Sequence, residues 1–206
     1  GYFEDNAFQV RIYILSDLTA ETAFLEEIDR FLDFHQFSGT VTYNGKSFDF
    51  PLMEGRYILQ RKRFPLLKLP HLDFLFPART IWKNTYESRK LGYLGDMLVG
   101  IPRDDDIDGS RIPALYFAFL RIKSIKVIEK VIEHNALDLL GLAALVLLGA
   151  RYLDDTSTTK DEGEILGIAR LNEKYGDMDQ ALELYENLNQ PAVRTEVINR
   201  AAKGLA

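Results

Sequence analysis

Cysteine is absent from the 206-residue chain, which excludes disulfides and thiolate metal sites and fits a reducing compartment. Long apolar runs are lacking too. The longest, "LLGLAALVLLGA" from Leu139 to Ala150, has 12 residues, short of the roughly 20 that a membrane span requires, and reads as a buried helix. The chain starts "GYFEDNAFQV", with no initiator methionine, basic region or signal-like apolar segment. Export is therefore not indicated, no membrane partner is expected, and a cytoplasmic location is the default expectation. There is also no glycine-rich phosphate loop and no nucleophile elbow.

What is present is a chain 47% hydrophobic, enough for a folded, soluble domain of ordinary size with a small appendage. The net charge of -6 argues against nucleic acid, because phosphate binding needs clustered lysine and arginine. Such a cluster exists locally. Between Arg56 and Lys90 stand nine basic residues (Arg56, Arg61, Lys62, Arg63, Lys68, Arg79, Lys83, Arg89 and Lys90) against two acids, Asp73 and Glu87. The stretch carries +7 and the rest of the chain -13. Either it is a phosphate-facing patch, in which Arg61, Lys62, Arg63, Arg79 and Lys83 contact DNA or RNA, or its charges are a solvated surface that never converges.

The alternation in "QVRIYIL" puts Val10, Ile12 and Ile14 on one side and predicts a half-buried strand after a turn at Glu4 to Asn6. "TAETAFLEEIDRFLDF" predicts a helix, with Thr19 the candidate N-cap, Glu21 in the first turn and Phe24, Ile28, Phe31 and Leu32 at helical spacing. "GTVTYN" predicts a short strand, a helix follows from about Pro51, and "HLDFLF" is a third candidate strand. From Ser110 the chain is predominantly helical. This order predicts an α/β fold with helices packed on a mixed sheet. A polar stretch then reads as a linker, and "ILGIARLNEKYGDMDQALELYENL" has a tetratricopeptide-like pattern in Ala169, Gly176, Ala181 and Tyr185. The expected organisation is a domain over 1–152, a linker over 153–163 and a small all-α hairpin segment over 164–206, available to a protein partner.

Two places carry candidate chemistry. Asp49 falls where a strand passes into a helix, near the sheet edge at which ligand sites of open α/β folds gather, although an aspartate there also serves as a plain helix cap. His134 and Asp138 are four apart and share a helix face. Asp138 lies among Leu137, Leu139, Leu140 and Leu142, so its carboxylate needs a partner, for which a divalent cation is a natural choice. Other candidates are weaker. "DDDIDG", from Asp104 to Gly109, opens like a calcium loop but has Leu115 where the bidentate glutamate belongs. His71 and Asp73 are candidates to line the cleft but read more readily as structural strand-end residues; Trp82 and Tyr86, inside the basic stretch, read as core with stacking on bases the alternative; and His35 has no role.

The stretches "YNGKSFDFP", "LPHLDFLFPAR", "DDIDGSRIPALYF" and "IEHNALDLLGLAAL", in this order and spacing, resemble the YprB-like branch of the ribonuclease H-like (DEDD, DnaQ-like) exonuclease superfamily over about residues 1 to 150. The resemblance implies a ribonuclease H-like fold and two divalent ions, magnesium or manganese, held by four acids. It implies that Asp49 and Asp138 are two of those acids, that Asn44 is the asparagine preceding the second motif and a contact to the nucleic acid, and that His134 is the general base. His134 precedes Asp138 by four positions, the spacing of the tyrosine-type subgroup. The first motif, an Asp-x-Glu on the opening strand, is missing; Glu4 and Asp5 are poor substitutes, and the family's first strand is expected to lie outside this sequence. Two divalent ions about 4 Å apart repel by roughly 16 kcal/mol at an effective dielectric near 20, which two carboxylates do not offset well. The implied activity is 3′-to-5′ hydrolysis of DNA or RNA by a longer protein, with this chain inactive alone. The alternative is a non-catalytic nucleic-acid-binding or protein-interaction module on a nuclease-like fold.

Overall fold

The computed structural model describes residues 1–103 and 106–188, which divide into two compact units. The first comprises residues 1–74 and 91–145. It opens with a hairpin of β1 (Tyr2–Glu4) and β2 (Ala7–Gln9), antiparallel across Asp5 and Asn6. Both turn residues have positive φ, 49° and 59°, the conformation of a two-residue hairpin turn and one that Asp and Asn tolerate well. The strand expected over Val10 to Ile14 does not form. Its alternation suits a sheet face, but a strand exists through ladder hydrogen bonds, and no strand among the described residues pairs with it. Tyr13 instead lies edge-on to Phe24 and Phe31.

Helix α1 (Glu21–His35) follows a short 3-10 turn. The capping oxygen of that turn belongs to Asp17, which accepts from both the backbone N–H and the hydroxyl of Thr19, so Thr19 is a capped residue and not the cap, while α1 itself, with Ala20 at its N-cap, has no side-chain cap. Helix α2 (Asp49–Leu59) packs on α1 through Leu25, Phe50, Tyr57 and Phe64, with Phe24, Ile28, Met53 and Leu66 around them. Polar contacts fix the same interface: Tyr57 donates to Asp29 over 2.8 Å, and Arg56 and Gln60 both bond Glu21. Between these helices runs β3 (Thr40–Thr42), parallel to β4 (His71–Asp73). The described strands thus form two separate pairs in place of the expected single mixed sheet.

Helices α4 (Leu91–Val99), α5 (Ile112–Ile122) and the first part of α6 (Glu129–Asp154) complete this unit. A Cβ built on Gly95 of α4 would stand 3.9 Å from the Cα of Gly141 on α6, so two residues without side chains bring these helices close. Helix α6 runs for 26 residues and is, by length and composition, apolar enough to cross a membrane. It is less buried than its sequence suggests. Gly141, Leu145, Gly149 and Tyr152 form one buried stripe, while Leu140 and Leu147 are exposed.

The second unit comprises residues 75–90 and those from 146 onward. It contains α3 (Leu75–Ile81), the end of α6, α7 (Glu162–Tyr175) and α8 (Met178–Asn187). The stretch expected to be a linker holds the last turn of α6, a 3-10 turn and the start of α7. Asp161 caps α7 and also accepts from Thr85 over 2.6 Å. Gly176, at φ 94°, ends α7, and Asp177 caps α8. Ala169, Ala181 and Tyr185 are buried, as are Ile81 and Trp82; Trp82 is core and not a base-stacking surface. Residues 189–206 of the segment expected to be tetratricopeptide-like lie outside the described residues.

Helix α7 passes α3 so closely that a Cβ on Gly167 would overlap the backbone of Ile81 and Thr80. Main-chain atoms cannot yield as a flexible side chain does, so Gly167→Ala is expected to cost about 3 kcal/mol. Gly95→Ala, with only ordinary contact distance to fill, should be neutral or slightly stabilising. Denaturant unfolding of both variants checks this, and equal midpoints would contradict the packing described.

Candidate active site

The loop that delivers Asp49 is built on a buried carboxylate. Asp73, 2% exposed at the end of β4, accepts the backbone N–H of Asn44 over 2.6 Å and of Lys46 over 3.0 Å. Phe74 N–H bonds back to Thr42. Asn44 sits at φ 66°, a left-handed position that Asn adopts at little cost. Gly45 follows under the Thr42 side chain, where any Cβ would overlap it. His71 stacks on Phe50 with ring centroids 3.9 Å apart, and its Nε2 is 2.8 Å from the Thr42 hydroxyl. Burial and the nearby Lys46 lower its pKa, against a smaller opposing effect of Asp73. Asp49 emerges in the first turn of α2 with its side chain exposed, next to exposed Phe48 and Leu52.

The other half is assembled on α6. His134 and Asp138 share a face, with Nε2 of the histidine 3.4 Å from Oδ2 of the acid. The partner that Asp138 requires is present: Arg103 donates from Nη2 to its Oδ1 over 2.6 Å. The same guanidinium donates from Nη1 to Asp106 over 2.8 Å, and Asp106 lies 2.7 Å from His134 Nδ1. Burial pushes the Asp106 carboxyl upward, but the hydrogen bonds from Arg103 and His134 outweigh it and hold its pKa below the usual value. Burial alone would lower Arg103, and its two carboxylates raise it.

The structure therefore joins His134 and Asp138, and adds Arg103 and Asp106, which sequence reasoning did not assign. Asp106 stood inside the stretch weighed as a calcium loop. Asp104 of that stretch lies outside the described residues, and Asp108 caps a 3-10 turn. Asp49 makes no side-chain hydrogen bond or ion pair among the described residues and is not part of the Arg103 cluster.

The basic stretch divides. Arg56 is paired with Glu21, and Lys62 with Asp29 and Glu26, so these two serve the α1–α2 interface. Arg61 and Arg63 are exposed in the first unit, and Arg79 and Lys83 are exposed in the second. As for metal, the described residues contain no group of three or more His, Asp or Glu side chains placed to hold an ion. Both oxygens of Asp138 already face Arg103 and His134. The donors present do not by themselves fit the expected pair of ions.

A family model for the RNase H superfamily matches residues 1–148. The chain belongs to that superfamily. It is also 33% identical over 170 residues to the uncharacterized protein YprB of Bacillus subtilis (strain 168), covering 81% of this chain and 39% of that protein. An RNase H superfamily chain that spans well under half of its relative is one portion of the relative's length. No solved structure matches.

Two outcomes test the loop. Asp73→Ala leaves two inward backbone N–H groups without their acceptor and should destabilise the protein by about 3 kcal/mol, with loss of hydrogen-exchange protection at Asn44 and Lys46. Unchanged protection there would contradict the assigned contacts. Because folding lowers the His71 pKa, its contribution to stability is complete above the ordinary histidine value of about 6.5 and is lost as pH falls through the lower folded value. Unfolding midpoints followed downward from neutral pH should show this decline and show it reduced in His71→Gln; identical profiles would refute the linkage.

Proposed function

We propose that the chain is part of a metal-dependent nuclease that hydrolyses phosphodiester bonds of DNA or RNA, with 3′-to-5′ exonucleolytic cutting as the expected mode. The observation that carries this reading is the placement of His134 beside Asp138 on one half-exposed face of α6, in a chain of the RNase H superfamily. Asp49 and Asp138 are its proposed metal ligands, for magnesium or manganese, and His134 its proposed proton acceptor. The remaining acids are proposed to come from residues beyond these 206, which is compatible with a chain covering 39% of its relative. Arg61, Arg63, Arg79 and Lys83 offer exposed positive charge for a phosphate backbone, with Asn44 beside the Asp49 loop. Lys62 is already neutralised by its acidic partners. Helices α7 and α8 are proposed as a surface for a protein partner, and a cytoplasmic location is part of this reading.

A second reading is favoured by one observation: Asp138 is already neutralised by Arg103. A nuclease-like domain with its acid so engaged serves equally as a binding module that does not cut.

Labelled single-stranded and double-stranded DNA and RNA, assayed with and without chelator, separate the two. Residues 1–206 alone should be silent with magnesium or manganese, while the full protein cuts and loses activity to background in Asp49→Asn and Asp138→Asn. Substituting Arg61 and Arg63 together should lower the log-log salt dependence of binding by about 2 on duplex substrate. A full protein that binds all four substrates and cuts none establishes the binding module; vigorous cutting by residues 1–206 contradicts the proposed division of the acids.

A further inference from the structure

We propose that Asp106 is a positioning residue for His134, fixing the imidazole through Nδ1–H so that Nε2 keeps its lone pair beside Asp138. The inference rests on the reading of His134 as the proton acceptor. Its basis is geometric. Asp106 Oδ1 is 2.7 Å from His134 Nδ1, within hydrogen-bond range. His134 Nε2 is 3.4 Å from Asp138 Oδ2, beyond the roughly 3.2 Å at which an N–H···O bond is well formed. The neutral ring therefore places its one hydrogen on the Asp106 side, and the opposite nitrogen is the acceptor.

Asp106 is itself immobilised. Its Oδ1 also accepts the backbone N–H of Ile107 over 2.9 Å, and its Oδ2 accepts from Arg103 over 2.8 Å. Arg103 bridges the two acids, donating from Nη1 to Asp106 and from Nη2 to Asp138, while its buried Nε has no hydrogen-bond partner among the described residues. One planar guanidinium thus sets the spacing between the carboxylate that orients the imidazole and the acid beside it. When Nε2 takes the proton of an attacking water, Asp106 remains an anion facing the imidazolium that forms, and stabilises it without accepting the proton itself. The depressed Asp106 pKa agrees with this role.

The test uses the full protein labelled with 15N-histidine, the His134 signals being assigned by their loss in His134→Gln. At a pH where the ring is neutral, the parent should show the Nδ1–H tautomer, and Asp106→Ala should move the ring to the Nε2–H form. The same variant should lower kcat by about tenfold to a hundredfold, as loss of an orienting partner typically does, with KM unchanged, and Asp106→Glu should restore part of kcat. Circular dichroism confirms that each variant is folded. An unchanged tautomer in Asp106→Ala overturns the proposal. So does a switched tautomer with unaltered kcat where His134→Ala is inactive. If His134→Ala itself keeps full activity, it is the role given to His134 that fails, and the positioning role falls with it.

Discussion

The guanidinium of Arg103, held between Asp106 and Asp138, is the interaction on which the candidate site depends. Asp138 lies on a helix whose neighbouring residues are leucines, and a carboxylate there needs compensation before the helix can dock. Arg103 supplies it with a short, charge-assisted bond, and the second half of its fork fixes Asp106. Removing one partner of such a cluster leaves the other charge uncompensated, so the loop before α5 and the middle of α6 are energetically tied. Elsewhere in the unit, Gly95 and Gly141 let α4 and α6 approach closely.

The Asp49 half is organised by a different device. There a buried carboxylate, Asp73, gathers backbone N–H groups and holds a tight loop in which Asn44 takes a left-handed conformation. Asp49 itself is left exposed and uncommitted at the start of α2, where the helix dipole favours negative charge. One acid is free and the other is engaged. That asymmetry is the physical content of the two functional readings, since a cation reaching both would have to compete with Arg103 at Asp138.

Much of this was legible in the sequence. The Asn-Gly pair before "KSFDFP" placed the loop and α2, the β-branched run placed β3, and the four-residue spacing put His134 and Asp138 on one face. The family resemblance rested on these same stretches, and membership of the superfamily agrees with it. What escaped depends on contacts between distant positions. Arg103 is 35 residues from Asp138, and nothing in "IPRDDDIDG" says which charge turns inward. The alternating segment Val10 to Ile14 carried a genuine sheet pattern, but pattern specifies a face and not a partner strand. The basic stretch likewise looked continuous, whereas Arg56 and Lys62 are spent on acids of α1 and the rest falls in two units. Asp17 displaced Thr19 as the capping oxygen because its side chain reaches the Thr19 N–H and hydroxyl together.

The assignment of Asp138 as a metal-binding acid is tested most directly by anomalous scattering from manganese in crystals of the full protein. The nuclease reading predicts a manganese peak coordinated by an Asp138 oxygen, with the Arg103 guanidinium turned away from that carboxylate. An intact Arg103–Asp138 pair, with manganese bound elsewhere or not at all at saturating concentration, would contradict it and leave the domain as a binding module.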